Sequence, residues 1–445
     1  SPESATGAPH KPNRPPNILL VVADDQPLGA MEVMTETRRW LRRNGTKYPN
    51  AYATTPVCCP SRASILTGRY AHNHGVLQNG QASALDTTTV IERVLSEGGY
   101  TTAAFGKFLN SWDVAVPPPS FDQWAVVARS AYAYWGGTWN VEGEVKTIRR
   151  YGTTYVGDKA QKFIEEAEDR DNRPWFAYLA PPAPHWPFNA EERYRDRNFA
   201  DWEGDPSNFE DNPLVDPGGR TDKPPYVQEF HRSYGEGRNM REKQFRTLFS
   251  LDDMMEQLRG VLDATDEASN TVVIYLSDNG FLWAQHGIIG KFTPYVESVR
   301  IPALIRWPKD MDVPAVDDRL VANIDIAPTM LDAAGLSAGP DFVPDGRSLL
   351  DQSWERERLL IEAWAERRSV PTWAGFISAS ESYVEYYDTD DTTITFREYY
   401  DLVDDPYQLT NLLGDIDPLN DPPDAGQMSF ELSGARRCEG PYQCP

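Results

Sequence analysis

Apolar runs alternate with amphipathic stretches along most of the chain. Short aliphatic runs bounded by turn formers, such as residues 18–23 and 271–277, predict strands that are buried on both faces. Between them, apolar positions spaced three and four residues apart predict helices, including one over residues 34–44 that we expect to end at Gly45. This alternation predicts an α/β fold, with a mostly parallel sheet flanked by helices.

Two segments depart from this pattern. Residues 205–240 are rich in Pro, Gly and Asn and predict a long irregular loop. From about Trp354 the chain alternates Thr, Tyr, Ile and Phe with acidic turns, which predicts an antiparallel meander in a smaller α+β region. We therefore expect a flexible leader over residues 1–16, a large domain over 17–353, and a C-terminal subdomain and tail over 354–445.

Polar side chains follow four of the predicted strands. In such sheets, ligands bind beyond the carboxyl ends of the strands, so these residues are candidates for one site. They are Asp24, Asp25, Lys107, His185, Asp278 and Asn279. A single Asp after a strand is usually a turn residue or a helix cap. Four strand ends that carry polar groups together favour a functional site.

Asp24, Asp25, Asp278 and Asn279 offer only oxygen donors. Such a set suits Ca²⁺, with Mg²⁺ as the alternative, and lacks the His and Cys ligands that zinc prefers. Two consecutive Asp residues after an apolar strand repel each other unless a positive charge lies beside them, and a metal ion meets that need. The alternative interpretation is that the two pairs of residues lie in unrelated turns.

The segment TTPVCCPSRASILTGRY, residues 54–70, predicts a helix that starts at Pro60 and stops at Gly68. Cys58 and Cys59 then lie at the helix N-terminus, where free N–H groups and the dipole attract anions. Arg62, one turn later, adds a cation. This arrangement favours an oxyanion ligand. A thiolate nucleophile and a buried cysteine pair both remain open at this point.

The chain has 445 residues and a net charge of −24, which repels nucleic acid and anionic membranes. No apolar run approaches the ~20 residues that a membrane span needs. The remaining cysteines, Cys438 and Cys444, are separated by Gly and Pro, so we expect a small disulfide loop and a secreted or extracytoplasmic location.

The segment around Cys58 resembles the signature of the formylglycine-dependent (type I) sulfatases. In that signature Cys-x-Pro-Ser-Arg precedes Leu-Thr-Gly-Arg, here residues 58–62 and 66–69. The segments ILLVVADDQ, GKFLN, APPAPHWPF and SDNG are similar to further landmarks of the family. The pattern is closest to the N-acetylglucosamine-6-sulfatase and extracellular glucosamine sulfatase branch. The resemblance implies an alkaline-phosphatase-like fold.

The resemblance also implies a mechanism and its residues. A formylglycine-generating enzyme converts Cys58 to formylglycine, whose hydrate attacks sulfur with one hydroxyl and expels sulfate with the other. Asp24, Asp25, Asp278 and Asn279 are implied to hold Ca²⁺. Arg62, Lys107, His185 and Lys291 are implied to bind the diol and sulfate or to protonate the leaving oxygen. The implied substrate is a sulfated saccharide of the glucosamine 6-sulfate type or a small aryl ester.

Some positions carry less information. Leu109 replaces a histidine that many sulfatases have two residues after the lysine, and His72, His74 and His286 receive no role. Three tryptophans are candidates for stacking on a ring or for the core, namely Trp135, Trp139 and Trp186. The charge of −24 without a long basic segment favours a chain end or a small ester over a long sulfated polymer.

Two other functions fit the same scaffold. One is a phosphodiester or phosphonate monoester hydrolase, and the other is a non-catalytic secreted binding protein. We expect Cys58→Ala and Arg62→Ala to abolish turnover with little loss of thermal stability.

Overall fold

A computed structural model describes residues 14–129, 133–170, 172–208, 220–308, 314–366, 370–414, 419 and 421–445. The predicted leader lies almost wholly outside these residues. The strands are β1 Asn17–Ala23, β2 Gly45–Lys47, β3 Ala51–Tyr52, β4 Thr101–Gly106, β5 Gln123–Val127, β6 Gly137–Val141, β7 Glu144–Ile148, β8 Trp175–Ala180, β9 Thr271–Ser277, β10 Leu282–Trp283, β11 Ile289–Gly290, β12 Ala303–Arg306, β13 Val321–Ala322, β14 Leu359–Ala363, β15 Thr372–Ile377, β16 Glu381–Tyr387 and β17 Ile394–Asp401.

Helices connect most of these strands. They are α1 Thr35–Arg42, α2 Cys58–Thr67, α3 Ala71–His74, α4 Ile91–Glu97, α5 Gly152–Arg170, α6 Pro225–Gln228, α7 Tyr234–Ala264, α8 Val296–Val299, α9 Ile326–Ala333 and α10 Ala425–Ala435. Short 3₁₀ segments occur at Leu28–Val33, Ala82–Ala84, Glu192–Tyr194, Gln285–Gly287 and Asn323–Asp325. In the described part of the chain, no helix is both long and apolar enough to cross a bilayer.

The large sheet has nine strands in the order β2-β12-β9-β1-β8-β4-β5-β6-β7. The five central strands, from β9 to β5, run parallel to one another. At both edges the pairing between neighbouring strands is antiparallel: β9 with β12 and β12 with β2 on one side, and β5 with β6 and β6 with β7 on the other. The prediction of a mostly parallel α/β sheet is therefore confirmed.

Strand β1 shows why helices cover both faces of this sheet. Its side chains alternate between two apolar clusters because successive strand residues point to opposite faces. Ile18, Leu20 and Val22 belong to a cluster that includes residues of α2, α4 and α9. Leu19 and Val21 belong to a second cluster, which includes residues of α1, α5 and α7. An aliphatic run without polar alternation is the sequence mark of such a strand.

The C-terminal region forms a separate sheet in the order β14-β15-β16-β17, and all its neighbours are antiparallel. Helix α10 packs on it and shares a third apolar cluster with β14 to β16. This confirms the predicted antiparallel meander. The division of the chain at residues 353 and 354 stays a prediction.

Gly45 does not cap α1, contrary to the sequence-based prediction. The helix ends at Arg42, and Asn44 takes the left-handed conformation with φ 60°. Gly45 instead begins β2, where a Cβ atom would lie 2.2 Å from the Leu41 carbonyl oxygen and 2.6 Å from that of Ile305. The glycine is therefore needed for close backbone approach and not for a turn.

The prediction of a loop throughout residues 205–240 is wrong at its C-terminal end. Residues 209–219 lie outside the described residues, but α6 and the start of α7 fall inside the segment. Helix α7 begins at a capping box, in which Glu236 N–H donates to Ser233 Oγ at 3.3 Å and Ser233 N–H donates to Glu236 Oε2 at 2.9 Å. The Ser-x-x-Glu spacing was a usable signal for this start.

Candidate active site

Helix α2 begins at Cys58, two residues before the predicted start at Pro60. Val57 is the N-cap residue, and its carbonyl oxygen accepts from Ser61 N–H at 2.9 Å. Pro60 is thus the third helical residue. No hydrogen bond is lost there, because the first N–H groups of a helix have no partner within it. The predicted stop is confirmed, since Gly68 is left-handed with φ 70°.

Cys58 lies at the tip of α2 with 1% of its surface exposed. Its Sγ atom contacts Lys291 Nζ and lies 3.7 Å from Asp24 Oδ1 and 3.6 Å from Asp25 Oδ1. Burial raises the pKa of the Cys58 thiol well above its usual range, although Lys107 and Lys291 act in the opposite direction. The encoded side chain is therefore a neutral thiol at neutral pH, which disfavours the thiolate nucleophile left open by the sequence.

The two carboxylates after β1 are held by lysines from different parts of the chain. Lys107, directly after β4, places Nζ 2.8 Å from Asp24 Oδ1 and 2.9 Å from Oδ2. Lys291, directly after β11, binds Asp25 Oδ1. Asp25 has a left-handed backbone with φ 67°, and its N–H donates to Asp278 Oδ1 at 3.0 Å. The ends of β1 and β9 are thereby joined.

The residues after β9 complete this network. Arg62 Nε donates to Asp278 Oδ2 at 2.8 Å, and both side chains are fully buried. Asn279 Nδ2 donates to Asp25 Oδ1 at 2.9 Å. Arg62 Nη2 is also buried, yet it makes no hydrogen bond to any residue in the described part of the chain. Nη2 instead lies 3.7 Å from Asp24 Oδ1, within ion-pair distance.

Electrostatics keep this cluster charged. Burial by itself would raise the pKa of Asp24, but Lys107, His185 and Arg62 hold it below the ordinary value. For Asp25, burial is likewise outweighed, chiefly by Lys291, and the pKa is lowered. Burial would lower the pKa of Lys107, yet Asp24 raises it above normal. Such mutual stabilisation is required for ionised groups in a buried site.

His185 follows β8 and faces the same cluster. Its Nδ1 atom lies 2.6 Å from the carbonyl oxygen of Trp186. Because a carbonyl oxygen can only accept, Nδ1 carries the hydrogen. Nε2 is then directed to the site, 3.7 Å from Asp25 Oδ2. The histidine can therefore accept a proton at Nε2 or, once protonated, donate one there.

All nine residues predicted for the site lie in or beside this cluster. Asp24, Asp25, Cys58 and His185 each offer one ligand atom, and these atoms lie within 4.8 Å of one another. Asp278 and Asn279, also predicted as ligands, each make a hydrogen bond with Asp25. The four predicted ligands offer oxygen atoms, which suit a hard divalent cation, whereas Cys58 and His185 beside them offer sulfur and nitrogen. The role of each residue stays a prediction.

Comparison with known sequences identifies the family. The sequence profile described as sulfatase matches residues 16–336, well over half of the chain. The chain belongs to the sulfatase family. A second profile, described as N-sulphoglucosamine sulphohydrolase, C-terminal, matches residues 284–420 of this sulfatase. The resemblance seen in the Cys58 segment is therefore confirmed at the level of the family.

Several named proteins are similar to this sulfatase. The N-acetylglucosamine-6-sulfatase of Capra hircus is 30% identical over 495 residues, which cover 97% of this chain and 85% of the relative. The extracellular sulfatase SULF-1 homolog of Drosophila melanogaster is 32% identical over 370 residues, which cover 79% of this chain. The chain spans only 32% of the length of that relative and 48% of a Sulf-1 homolog of Caenorhabditis elegans.

Solved structures confirm the α/β sulfatase fold. BT4656, solved in complex with its substrate D-glucosamine-2-N,6-O-disulfate, is 21% identical with a TM-score of 0.76, covering 95% of this chain and 97% of that one. The phosphonate monoester hydrolase of Agrobacterium radiobacter is 19% identical with a TM-score of 0.74, covering 95% and 96%. The fold alone therefore does not distinguish the two substrate classes.

Sequence reasoning missed several residues that shape the site of this sulfatase. Tyr178 on β8 lies under Arg62, whose Nη1 donates to the tyrosine hydroxyl at 3.1 Å. Ser61 Oγ donates to the backbone carbonyl of Asp278. Asn79 Oδ1 accepts from Cys59 N–H at 3.0 Å. Tyr178 could be read as an inward strand position, but Asn79 comes from a loop without any recognisable motif.

The histidines without an assigned role all serve structure or packing. His72 contacts the Glu362 carboxylate at 2.9 Å, and its Nε2 donates to the Cys438 carbonyl at 3.0 Å. His74 is buried against Ser64, and His286 stacks on Tyr295 with ring centroids 4.0 Å apart. His72 and His74 lie on helix α3.

The three candidate tryptophans differ in position. Trp139 is 1% exposed and packs edge-on against Tyr155 at 5.3 Å, so it belongs to the core. Trp135 and Trp186 are 48% and 57% exposed. Trp186 lines a cavity of about 570 Å³ that also contains Cys58, His185 and Lys291. Only Trp186 is therefore placed to stack on a ring that lies beside Cys58.

Proposed function

We propose that this sulfatase hydrolyses the sulfate ester of a saccharide, with residue 58 as the nucleophile after conversion of Cys58 to formylglycine. The observation that supports the proposal best is the convergence of Arg62, Lys107 and Lys291 on the tip of α2. Three cations around one buried side chain form a site for a group that carries negative charge on several oxygens.

The cationic side chains have distinct tasks in this proposal. Lys291 contacts Cys58 Sγ and Lys107 binds Asp24 beside it, and both would neutralise the sulfate oxygens as charge develops on them. Arg62 donates to Asp278 and lies within ion-pair distance of Asp24, so it would hold these two carboxylates in place. His185 Nε2 would give its proton to the departing sugar oxygen, because its Nδ1 is occupied by the Trp186 carbonyl.

The nucleophile requires a modified side chain. A neutral buried thiol is a weak nucleophile, since the thiolate is the reactive form of cysteine. When formed, the formylglycine hydrate supplies one hydroxyl for attack on sulfur and a second that expels sulfate and restores the aldehyde. A formylglycine-generating enzyme is therefore a proposed partner during maturation, and it would act before Cys58 is buried.

Asp24, Asp25, Asp278 and Asn279 would hold Ca²⁺ or, as the alternative, Mg²⁺. The donor chemistry fits, because carboxylate and amide oxygens are preferred by hard cations. When bound, the ion would supply Lewis-acid charge beside the nucleophile. Lys107 and Lys291 contact the same carboxylates, so both ammonium groups would have to shift toward the sulfate as the ion enters.

The proposed substrate is the 6-O-sulfate of a glucosamine unit. Relatives named N-acetylglucosamine-6-sulfatase align over nearly the whole chain, and BT4656 was solved with a disulfated glucosamine. The exposed indole of Trp186 in the cavity beside Cys58 offers a surface for a sugar ring. We also propose an extracytoplasmic location, which the disulfide between Cys438 and Cys444 supports.

Two measurements test this function. Intact-protein mass spectrometry of the active preparation should show a loss equal to one sulfur and two hydrogens minus one oxygen. The purified protein should then release sulfate from glucosamine 6-sulfate. An unmodified mass in a preparation that turns over would overturn the role of formylglycine, and a modified protein without any sulfate release would favour a binding protein.

A phosphonate or phosphodiester substrate is the second candidate, supported by the shared fold with the Agrobacterium radiobacter hydrolase. Rates on an aryl sulfate and an aryl phosphate diester with the same leaving group separate the two. We expect the aryl sulfate to be hydrolysed faster. A faster rate on the diester would reassign the reaction.

A further inference from the structure

A second cavity, of about 750 Å³, lies between α10, the small sheet and the loop after α3. It shares no lining residue with the cavity that contains Cys58. Its walls combine aromatic and charged side chains, among them His72, Leu77, Trp364, Tyr387, Phe430 and Arg437. We call it the outer cavity. None of the chemistry described above uses it.

Two chain segments, 77–80 and 364–366, separate the outer cavity from the reaction centre. They run side by side, because Gln78 Nε2 donates to the Ala365 carbonyl at 2.6 Å and Asn79 N–H donates to Glu366 Oε2 at 3.3 Å. These two contacts join the segments into one ridge. Ala365 is an exposed residue of this ridge.

Each segment contributes to the cavities on both sides of this ridge. Leu77 and Trp364 line the outer cavity. Asn79 and Glu366, two positions later, line a cavity of about 360 Å³ next to Lys107 and His185. Since two residues span at most ~7 Å of chain, the Gln78–Ala365 pair lies between the residues that line the two cavities. We call this pair the saddle.

We propose that the cavities on both sides of the saddle form one track for a sulfated oligosaccharide. This inference rests on the proposed function: the sulfated ring lies beside residue 58, the next unit crosses the saddle, and later units occupy the outer cavity. The protein then prefers an oligosaccharide to a monosaccharide ester. Of the two expectations from net charge, a chain end or a small ester, this inference favours the chain end.

Aromatic surfaces in the outer cavity suit the apolar faces of sugar rings. Phe430 lines this cavity and is 76% exposed, so its ring is accessible to a ligand. The indole of Trp364 is oriented, since its Nε1 donates to Asp391 Oδ2 at 3.2 Å. An oriented indole and an exposed phenyl ring are the two contacts on which sugar units would stack.

The charges of the outer cavity admit an anionic ligand although the chain carries −24 overall. Asp391 is neutralised by Arg436, whose Nη2 lies 2.6 Å from its Oδ1. Glu385 accepts hydrogen bonds from the hydroxyls of Tyr383 and Tyr387 at 2.6 and 2.7 Å. Arg437 pairs with no carboxylate in the described residues and donates only to Ser433 Oγ. The outer cavity therefore offers a ligand the guanidinium of Arg437, while its acidic side chains already have partners.

Binding measurements test the track without depending on turnover. The full chain carrying Cys58→Ala is titrated with a tetrasaccharide that ends in glucosamine 6-sulfate and with glucosamine 6-sulfate itself. We expect the tetrasaccharide to bind at least 10-fold more tightly. Phe430→Ala and Arg437→Gln should each weaken the tetrasaccharide about 3- to 10-fold, the range that one aromatic or charged contact contributes.

A bulky side chain on the saddle provides a second, independent test of the track. Ala365→Trp should bring the affinity for the tetrasaccharide down to that for the monosaccharide, because the path between the cavities is filled. Tyr442→Ala and Arg195→Gln are matched controls, since Tyr442 is 99% exposed and neither residue lines the cavities of the track.

The outcomes separate this inference from the proposed function. Equal affinity for the two saccharides, or tetrasaccharide affinity unchanged in Phe430→Ala, Arg437→Gln and Ala365→Trp, would overturn the track. An equal loss of monosaccharide affinity in these variants would also overturn the track, because it indicates a disturbed reaction centre. Sulfate release from an aryl ester by the unmutated protein tests the reaction alone, whatever the binding result.

Discussion

At the scale of single residues, Cys58 and Cys59 are adjacent and both buried, yet their environments differ. Cys58 Sγ faces the carboxylates of Asp24 and Asp25. Cys59 Sγ donates to the Asn110 carbonyl at 3.4 Å and packs into the apolar cluster on the other side. Successive residues of a helix point about 100° apart, so one thiol reaches the site and the next the core.

This difference gives a matched pair of variants. We expect Cys58→Ala to abolish sulfate-ester hydrolysis and Cys59→Ala to keep it, with a loss of about 1 kcal/mol in the free energy of unfolding for the second variant. Turnover of an aryl sulfate and denaturant unfolding measure the two effects. Activity in Cys58→Ala, or its loss in a folded Cys59→Ala protein, would contradict the assignment.

Arg62 is a poorer probe than its sequence position indicates. From the sequence we expected Arg62→Ala to retain thermal stability, but the guanidinium is fully buried against Asp278. Removing one partner of a buried ion pair leaves an uncompensated charge and costs about 3–5 kcal/mol. Burial of a charged side chain cannot be read from the motif, because cationic residues are mostly exposed.

At the scale of elements, α2 and α3 are joined through His74. Its Nδ1 accepts from Val76 N–H at 3.1 Å, so Nε2 carries the hydrogen and donates to Ser64 Oγ at 3.0 Å. Burial lowers the pKa of His74 to about 3. The contact between the two helices thus requires a neutral imidazole.

A pH dependence of stability follows from this depressed pKa. Between pH ~6.5 and ~3 the unfolded chain binds a proton that the folded chain excludes, so stability falls as the pH falls through this range. From pH 6.5 to 5 we expect a loss of ~2 kcal/mol from His74. Denaturant unfolding of His74→Gln at several pH values should lack this component. Parallel curves for the two proteins would refute it.

Much of the element pattern could be predicted from the sequence, because buried strands are aliphatic and helices are amphipathic. The predicted helix ends are wrong where a proline or glycine serves a purpose other than starting or stopping a helix. Pro60 lies within the first turn of α2 rather than at its first residue, since proline is tolerated throughout that turn. Gly45 packs closely against the backbone of another strand, and this contact cannot be predicted from the local sequence.

At the scale of the whole molecule, the site brings together strand ends that are far apart in sequence. Parallel strand order made this convergence predictable for Asp24, Lys107, His185 and Asp278. Asn79 and Asn110, which line the cavities beside them, come from irregular segments. Loop paths depend on tertiary packing and carry no periodic signal, so these positions could not be assigned a role from the sequence.

Calcium should stabilise the fold as a whole. An ion that binds only the folded state at 100 times its dissociation constant adds about 2.7 kcal/mol to the free energy of unfolding. We expect Ca²⁺ to raise the melting temperature and a chelator to reverse the shift, in Cys58→Ala protein as well. Asp25→Asn should remove the response. Identical melting with Ca²⁺ and with chelator would argue against the proposed ligand set.

The disulfide between Cys438 and Cys444 closes a small loop in the C-terminal tail, and its predicted pairing is confirmed. The Cys438 carbonyl accepts from His72 and Asn73, and the Pro441 carbonyl accepts from Arg347. Closing a loop of this size contributes ~2 kcal/mol in the chain-entropy description.

We therefore expect Cys438→Ser with Cys444→Ser to lower the free energy of unfolding by about 2 kcal/mol and to leave aryl sulfate turnover intact. A reducing agent should have the same effect on the unmutated protein. Unfolding that is indifferent to both treatments would show that the tail docks without the bridge.

The position of Trp186 makes the reaction centre optically accessible. Its indole is 57% exposed, while its own carbonyl holds the ring of His185. A saccharide that covers this indole would remove it from water and move its fluorescence emission to shorter wavelengths. The protein has 13 tryptophans, so the signal is the difference between native protein and Trp186→Phe. Ligand entry could then be timed in a stopped-flow instrument, separately from release of sulfate.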